Sequence, residues 1–79
     1  PTPAFGVQLG AFSQIENAQR MINRLESKVK APLQVWPIEQ NGKKTYKVIA
    51  GGFEERYEAL SLHAQLKRQS IKGFVQILN

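Results

Sequence analysis

The stretch Phe5-Gly6-Val7-Gln8-Leu9-Gly10-Ala11-Phe12 returns 41 positions later as Tyr46-Lys47-Val48-Ile49-Ala50-Gly51-Gly52-Phe53. Val7, Gly10 and Phe12 fall on Val48, Gly51 and Phe53, and Phe5 falls on another aromatic, Tyr46. The correspondence continues downstream, where Ala18 and Leu25 meet Ala59 and Leu66, and Met21 meets Leu62. Two copies are too few to stack as a solenoid. They read instead as two similar β-α-β units folded together about a pseudo-twofold axis.

Each copy supports this locally. Phe5 to Phe12 and Thr45 to Phe53 are short, apolar, β-favouring runs ending in a glycine-containing bend. Ser13 with Glu16 has the spacing of a capping box, and Ile15, Ala18, Met21, Ile22, Leu25 and Val29 then recur at helical intervals. In the second copy, Glu54 and Glu55 suit a helix N-terminus and Lys67-Arg68 its C-terminal end, with Ala59, Leu62 and Leu66 as the apolar stripe. Leu33 to Ile38, after Pro32, is a further strand, joined to the next by the strong turn signal Asn41-Gly42. Gly73 opens a last strand, Phe74 to Leu78. The resulting class is α+β: a ferredoxin-like βαββαβ fold with a four-stranded antiparallel sheet. Right-handed crossovers put both helices on one face of that sheet. The other face is left free, and a function is to be sought there.

The composition sets the limits. Seventy-nine residues make one domain, with residues 5–79 as its body. Pro1-Thr2-Pro3-Ala4 reads as the end of a stiff linker, as expected of a piece of a longer protein. No apolar run approaches the roughly 18–20 residues of a membrane span, so no direct membrane insertion of this stretch is expected. Cysteine is absent, which excludes disulfides, thiol catalysis and zinc ribbons. Eleven Lys and Arg against six Glu give a formal charge of +5, which favours an anionic partner: nucleic acid, an anionic membrane surface or a wall polymer.

No enzyme constellation emerges. Glu54, Glu55 and Glu58 fall within one helical turn, whereas a glycosidase needs two carboxylates facing each other across a cleft. His63 stands alone, so no metal site is expected, and it reads as a helix-surface or boundary residue. There is no nucleotide-binding loop and no Ser-His-Asp set, and no cofactor is expected. Strand alternation turns Val7 and Leu9 to one face and Gln8 to the other, and sets Thr45, Lys47 and Ile49 together on the free face. An amide there can pair with sugar hydroxyls, or it can simply be solvated. Lys47 has the same two readings. Trp36, the only tryptophan, can belong to the core or offer a ring for sugar stacking. Phe12 and Phe53, repeated symmetrically at equivalent bends, are assigned to packing.

These residues resemble a known family. Phe5 to Phe12 with Asn17-Ala18, and Tyr46 to Phe53 with Glu58-Ala59, look like the two hallmarks of a SPOR domain, and the resemblance covers residues 5–78. It implies a non-catalytic peptidoglycan-binding module that recognises glycan strands lacking stem peptides and targets a parent protein to the division septum. The parent would be a division factor or a wall hydrolase, on the periplasmic side of the bacterial envelope and in some cases membrane-anchored. Carried over by motif, the implied contacts are Gln8, Ala11, Thr45, Lys47 and Val75, with Trp36 added from its own chemistry. The sequence departs from the family pattern where Ala11 replaces a serine, Lys47 an arginine and Gly52 a proline. The expected partner is thus a peptidoglycan glycan strand, with no nucleic acid, bound by a monomer. The rival reading is an RRM-like RNA-binding domain of the same strand order, suggested by Lys72-Gly73-Phe74-Val75. That motif falls on the last strand rather than the third, and the central strands lack the expected stacking aromatics. A ligand-sensing or protein-interaction domain of the same fold is a third.

Overall fold

The computed structural model describes residues 4–78, so the linker reading of the first three residues lies outside the described residues. Six elements follow in the order β1 (Phe5–Phe12), α1 (Ile15–Leu25), β2 (Leu33–Gln40), β3 (Lys43–Phe53), α2 (Arg56–Arg68) and β4 (Phe74–Ile77). The strands form one antiparallel sheet in the order β2-β3-β1-β4. The two strands of the internal repeat are therefore the central pair. The expected βαββαβ architecture is present. β2 runs two residues past its expected end and β3 starts two earlier, because the Asn41-Gly42 turn draws its flanks into a long ladder. Both turn residues have positive φ, 53° and 78°, the pairing a two-residue hairpin demands. Pro37 sits inside β2 without breaking it, since an edge strand can leave one N–H position unused.

The core lies between the sheet and the helices. Val7, Val48, Ala50, Ala18 and Ala59 are fully buried there, closed over by Leu25, Leu62 and Leu66. Alanine at the repeat-related positions 18 and 59 lets each helix approach the central strands. The helix backbones stay more than 8 Å apart, Cα to Cα, and the segment after α1 lies along α2 instead. α1 ends at Leu25, earlier than its apolar stripe suggests. Lys28 and Val29 donate back to the Leu25 carbonyl, and the buried Val29 joins the core from this turn.

The helix ends correct one expectation and explain one oddity. Ser13 does not cap α1: the cap position is Gln14, with no side-chain bond. Because the helix starts one residue later than a Ser13 cap requires, Glu16 stands one position too early in the first turn to reach back. At α2, by contrast, the Glu58 carboxylate accepts from the Glu55 backbone N–H at 3.3 Å. α2 ends in a Schellman turn, with Ile71 N–H bonded to the Leu66 carbonyl and Ser70 N–H to that of Lys67. Ser70 occupies the left-handed position, φ 63°, where glycine is the unstrained choice.

Two stability outcomes follow. Leu66→Ala empties a site that is 1% exposed and should cost about 2–5 kcal/mol, enough to unfold much of so small a domain. Ser70→Gly should instead raise stability by about 0.5–1 kcal/mol by relieving the left-handed strain. Denaturant unfolding of the two variants checks both signs, and a neutral Leu66→Ala would overturn the core assignment.

Candidate functional site

The helix-free face is assembled by register. Gln8 is opposite Ile49 on one side and Phe74 on the other, Trp36 is opposite Lys47, and Ile38 is opposite Thr45. Cross-strand partners share a face. Since Val7, Val48 and Val35 all point under the helices, these residues point away from them. Between Gln8 and Gly10 the β1 register slips by one, leaving Leu9 as an extra residue. The slip reverses the alternation, so that Ala11 joins Lys47 on the free face while Phe12 turns into the core beside Tyr46.

The face is not a flat polar sheet. Ile49 is 2% exposed although it lies on the side without helices, so its neighbours cover it. Gly6 makes the cover possible. A Cβ at this position would stand 2.8 Å from the Ile49 Cγ2 and 3.3 Å from the Leu78 Cδ1. A hollow of about 110 Å³ lies alongside, lined by Trp36, Ile38, Lys47, Ile49, Gln76 and Leu78. The Trp36 indole N–H donates to the Gln34 amide oxygen at 3.1 Å, which holds the ring over the sheet. Trp36 thus belongs to the free face, half-buried, and not to the helix-side core.

Two amides lie at the heart of this surface. Gln8 is 9% exposed, and its side-chain oxygen is buried without a hydrogen-bond partner. The side-chain oxygen of Gln76 is in the same condition. Gln76 faces Gly6 on the strand next to that of Gln8, so the two positions are diagonal neighbours. A buried acceptor left without a donor costs roughly 1–3 kcal/mol, and folded proteins keep few of them.

Five of the six expected site residues share the free face: Gln8, Ala11, Trp36, Thr45 and Lys47. Val75 does not. It stands opposite Val7 and packs against the helix-side core, because β4 enters the sheet with Gln76, not Val75, turned outward. Sequence reasoning missed Gln76 and also Phe74, which is 55% exposed on this face beside Gln8. A larger hollow of about 580 Å³ lies at the α2–β4 turn, lined by His63, Lys67, Ser70, Ile71, Lys72 and Gly73. There the His63 Nε2–H donates to the Gly73 carbonyl at 2.9 Å, and Ser70 forms the helix end. Among the described residues no cluster of three metal-ligating side chains occurs, and no helix is long and apolar enough to cross a membrane.

The model of the SPOR domain family matches residues 1–77. The chain belongs to the SPOR domain family. Among solved structures, the SPOR domain of RlpA from Pseudomonas aeruginosa aligns with a TM-score of 0.72 at 17% identity, covering 96% of this chain and 97% of that one. At such identity the likeness speaks for the fold. A search of curated proteins matched none. SPOR domains are non-catalytic modules that bind peptidoglycan and serve cell division, and this one carries their ferredoxin-like fold.

Gln8→Leu and Gln76→Leu each remove an unpaired buried acceptor while keeping an apolar stem. Each should therefore leave stability unchanged or raise it by up to about 1 kcal/mol. Loss of more than about 1 kcal/mol in urea unfolding would show that the amides serve the fold instead.

Proposed function

We propose that the helix-free face of this SPOR domain binds peptidoglycan glycan strands lacking stem peptides. Through that face it would bring a parent protein to the division septum, on the periplasmic side of the envelope. One observation carries the reading: the side-chain oxygens of Gln8 and Gln76, which meet no donor of the protein, belong to diagonal neighbours on the helix-free face, and Gln76 lines the Trp36 hollow. Sugar hydroxyls and N-acetyl N–H groups are the donors these oxygens lack. Trp36 and Phe74 offer apolar ring faces to the C–H faces of the sugars. Lys47, half-buried at the edge of the hollow, places an ammonium where a lactyl carboxylate freed of its peptide can meet it. Thr45 and Ala11 flank it, and Ala11 leaves room without adding a hydroxyl.

The recognition is thus mainly neutral, with charge in a supporting part. The domain itself carries no chemistry in this account, and any wall-cleaving activity belongs to the parent. No observation favours the RNA reading: the chain belongs to a wall-binding family, and the aromatics of the free face stand on the two edge strands, β2 and β4.

Two tests follow. Sacculi treated with an amidase to remove stem peptides should retain more of the domain than untreated sacculi, and Gln8→Leu and Lys47→Ala should each reduce that retention. Equal retention before and after treatment would overturn the stated specificity. Raising salt from low to physiological strength should weaken binding less than about tenfold, because exposed charge pairs are individually weak. A polyanion surface making several phosphate contacts would lose far more, and such a steep slope would count against the sheet-face site.

A further inference from the structure

The two helices differ on their outward sides. α1 shows solvent Glu16, Gln19, Arg20, Asn23 and Arg24, with Ile15 48% exposed at its first turn; Gln19 donates to Asn23, and Arg20 to the half-buried Asn17. α2 carries apolar side chains on both sides. Ala59, Leu62 and Leu66 face the core, yet Tyr57 is 71% exposed and Leu60 45% exposed. Tyr57, Leu60, Ser61, Ala64 and Arg68 follow at the spacing of one helical ridge, all exposed. Helical geometry sets this ridge opposite the core-facing stripe, so it points away from the sheet. The exposed Tyr57 and Leu60 side chains on this mixed ridge lie outside the hydrophobic core of the chain.

Charge is distributed along it in a particular way. Glu54, Glu55 and Glu58 stand at its start with Arg56 among them, a net negative end, and Lys67 and Arg68 stand at its end. An antiparallel copy of the same helix is therefore its electrostatic complement. A twofold axis near Ser61 sets Glu54 of one copy against Arg68 of the other, and by symmetry Arg68 against Glu54. The same axis brings Tyr57 against Ala64 and Leu60 beside Ser61, large against small. Beside the ridge, a hollow of about 330 Å³ between α2 and the Lys30-Ala31 segment can take a side chain from the facing helix.

We infer that the outward face of α2 is a self-association surface whose partner is a second copy of this chain, packed antiparallel as an isologous pair. The 13-residue helix is about 20 Å long, so it covers less than the roughly 1,200–2,000 Å² of a standard interface. The pairing is weak and forms where the protein is concentrated, and the expected monomer is its dilute limit. Both sheet faces then look outward on opposite sides of the pair. If each holds a glycan strand, the dimer bridges two strands and gains avidity on a dense wall. The association itself does not rest on the glycan reading.

Sedimentation equilibrium of the unliganded domain is the test. The mass should rise from 8.9 kDa toward twice that value, with a dissociation constant on the order of 0.1–1 mM. Leu60→Glu and Tyr57→Lys should weaken the pairing by at least about tenfold, with the far-UV spectrum unchanged. Glu54→Arg alone and Arg68→Glu alone should each weaken it at least about fivefold. An equimolar mixture of those two single variants should recover it, since both charge pairs are then complementary. A strictly 8.9 kDa species up to about 1 mM, or a mixture that fails to recover, overturns the inference. Because no glycan is present, failure here leaves the sheet-face site untouched, and failure of glycan binding leaves this surface untouched.

Discussion

The antiparallel ladder between β1 and β3 is the constraint from which the other features follow. It joins the two copies of the repeat, and its helix-side residues Val7, Val48 and Ala50 are fully buried, as are Ala18 and Ala59 of the helices packed on them. With these two strands central, each right-handed crossover lays its helix on the same side. β2 and β4 can then join only at the two edges. The apolar surface gained on one side stabilises the domain, and the opposite side is released from packing. Glycines set the fine fit around the ladder. Gly51 takes a φ of 91°, where a Cβ would stand 2.3 Å from the Phe53 ring, and a Cβ on Gly73, just before β4, would stand 2.8 Å from the Gln8 carbonyl oxygen.

Under the proposed reading, the free face is a binding surface held ready at some cost to the fold. Ile49, Trp36, Ile38 and Leu78 form a small apolar layer that a four-stranded sheet of this size does not need for its main core. Gln8 and Gln76 are enclosed on the same face, and their side-chain oxygens meet no donor of the protein itself. A sequence selected only for stability would place apolar residues there, since an unpaired buried acceptor is a net loss. Local rules are expected to fail where function is located.

Much of the fold was legible because its signals agree. The 41-residue recurrence, the helical stripes and the Asn41-Gly42 turn all point to the same six elements. Simple alternation would have sent Ala11 inward and Phe12 outward. The extra residue Leu9 inverts that order, and symmetry with Phe53 revealed the packing role of Phe12 where alternation could not. β4 was less legible. Phe74, Val75, Ile77 and Leu78 are all apolar, so the short strand carries no period that fixes its register, and Val75 was placed on the wrong face. Gln76 is the one polar residue among them, and its outward position follows only once Val7 is seen to face Val75. The Ser13 and Glu16 pair matched a capping pattern, but the helix start moved by one residue, a scale that pattern reading does not resolve.

The central claim is that the sheet face, and not the helix side, meets the glycan. Amide and indole resonances followed during titration with peptide-free glycan strands test it most directly. The account predicts shifts concentrated at the side-chain amides of Gln8 and Gln76, the Trp36 indole N–H, and the backbone of Ala11, Lys47, Ile49 and Phe74. The outward residues of α1 should stay in place at dilute protein concentration. Shifts centred on α2 and the Lys28 to Ala31 segment, with Gln8, Trp36 and Gln76 unmoved, would contradict it.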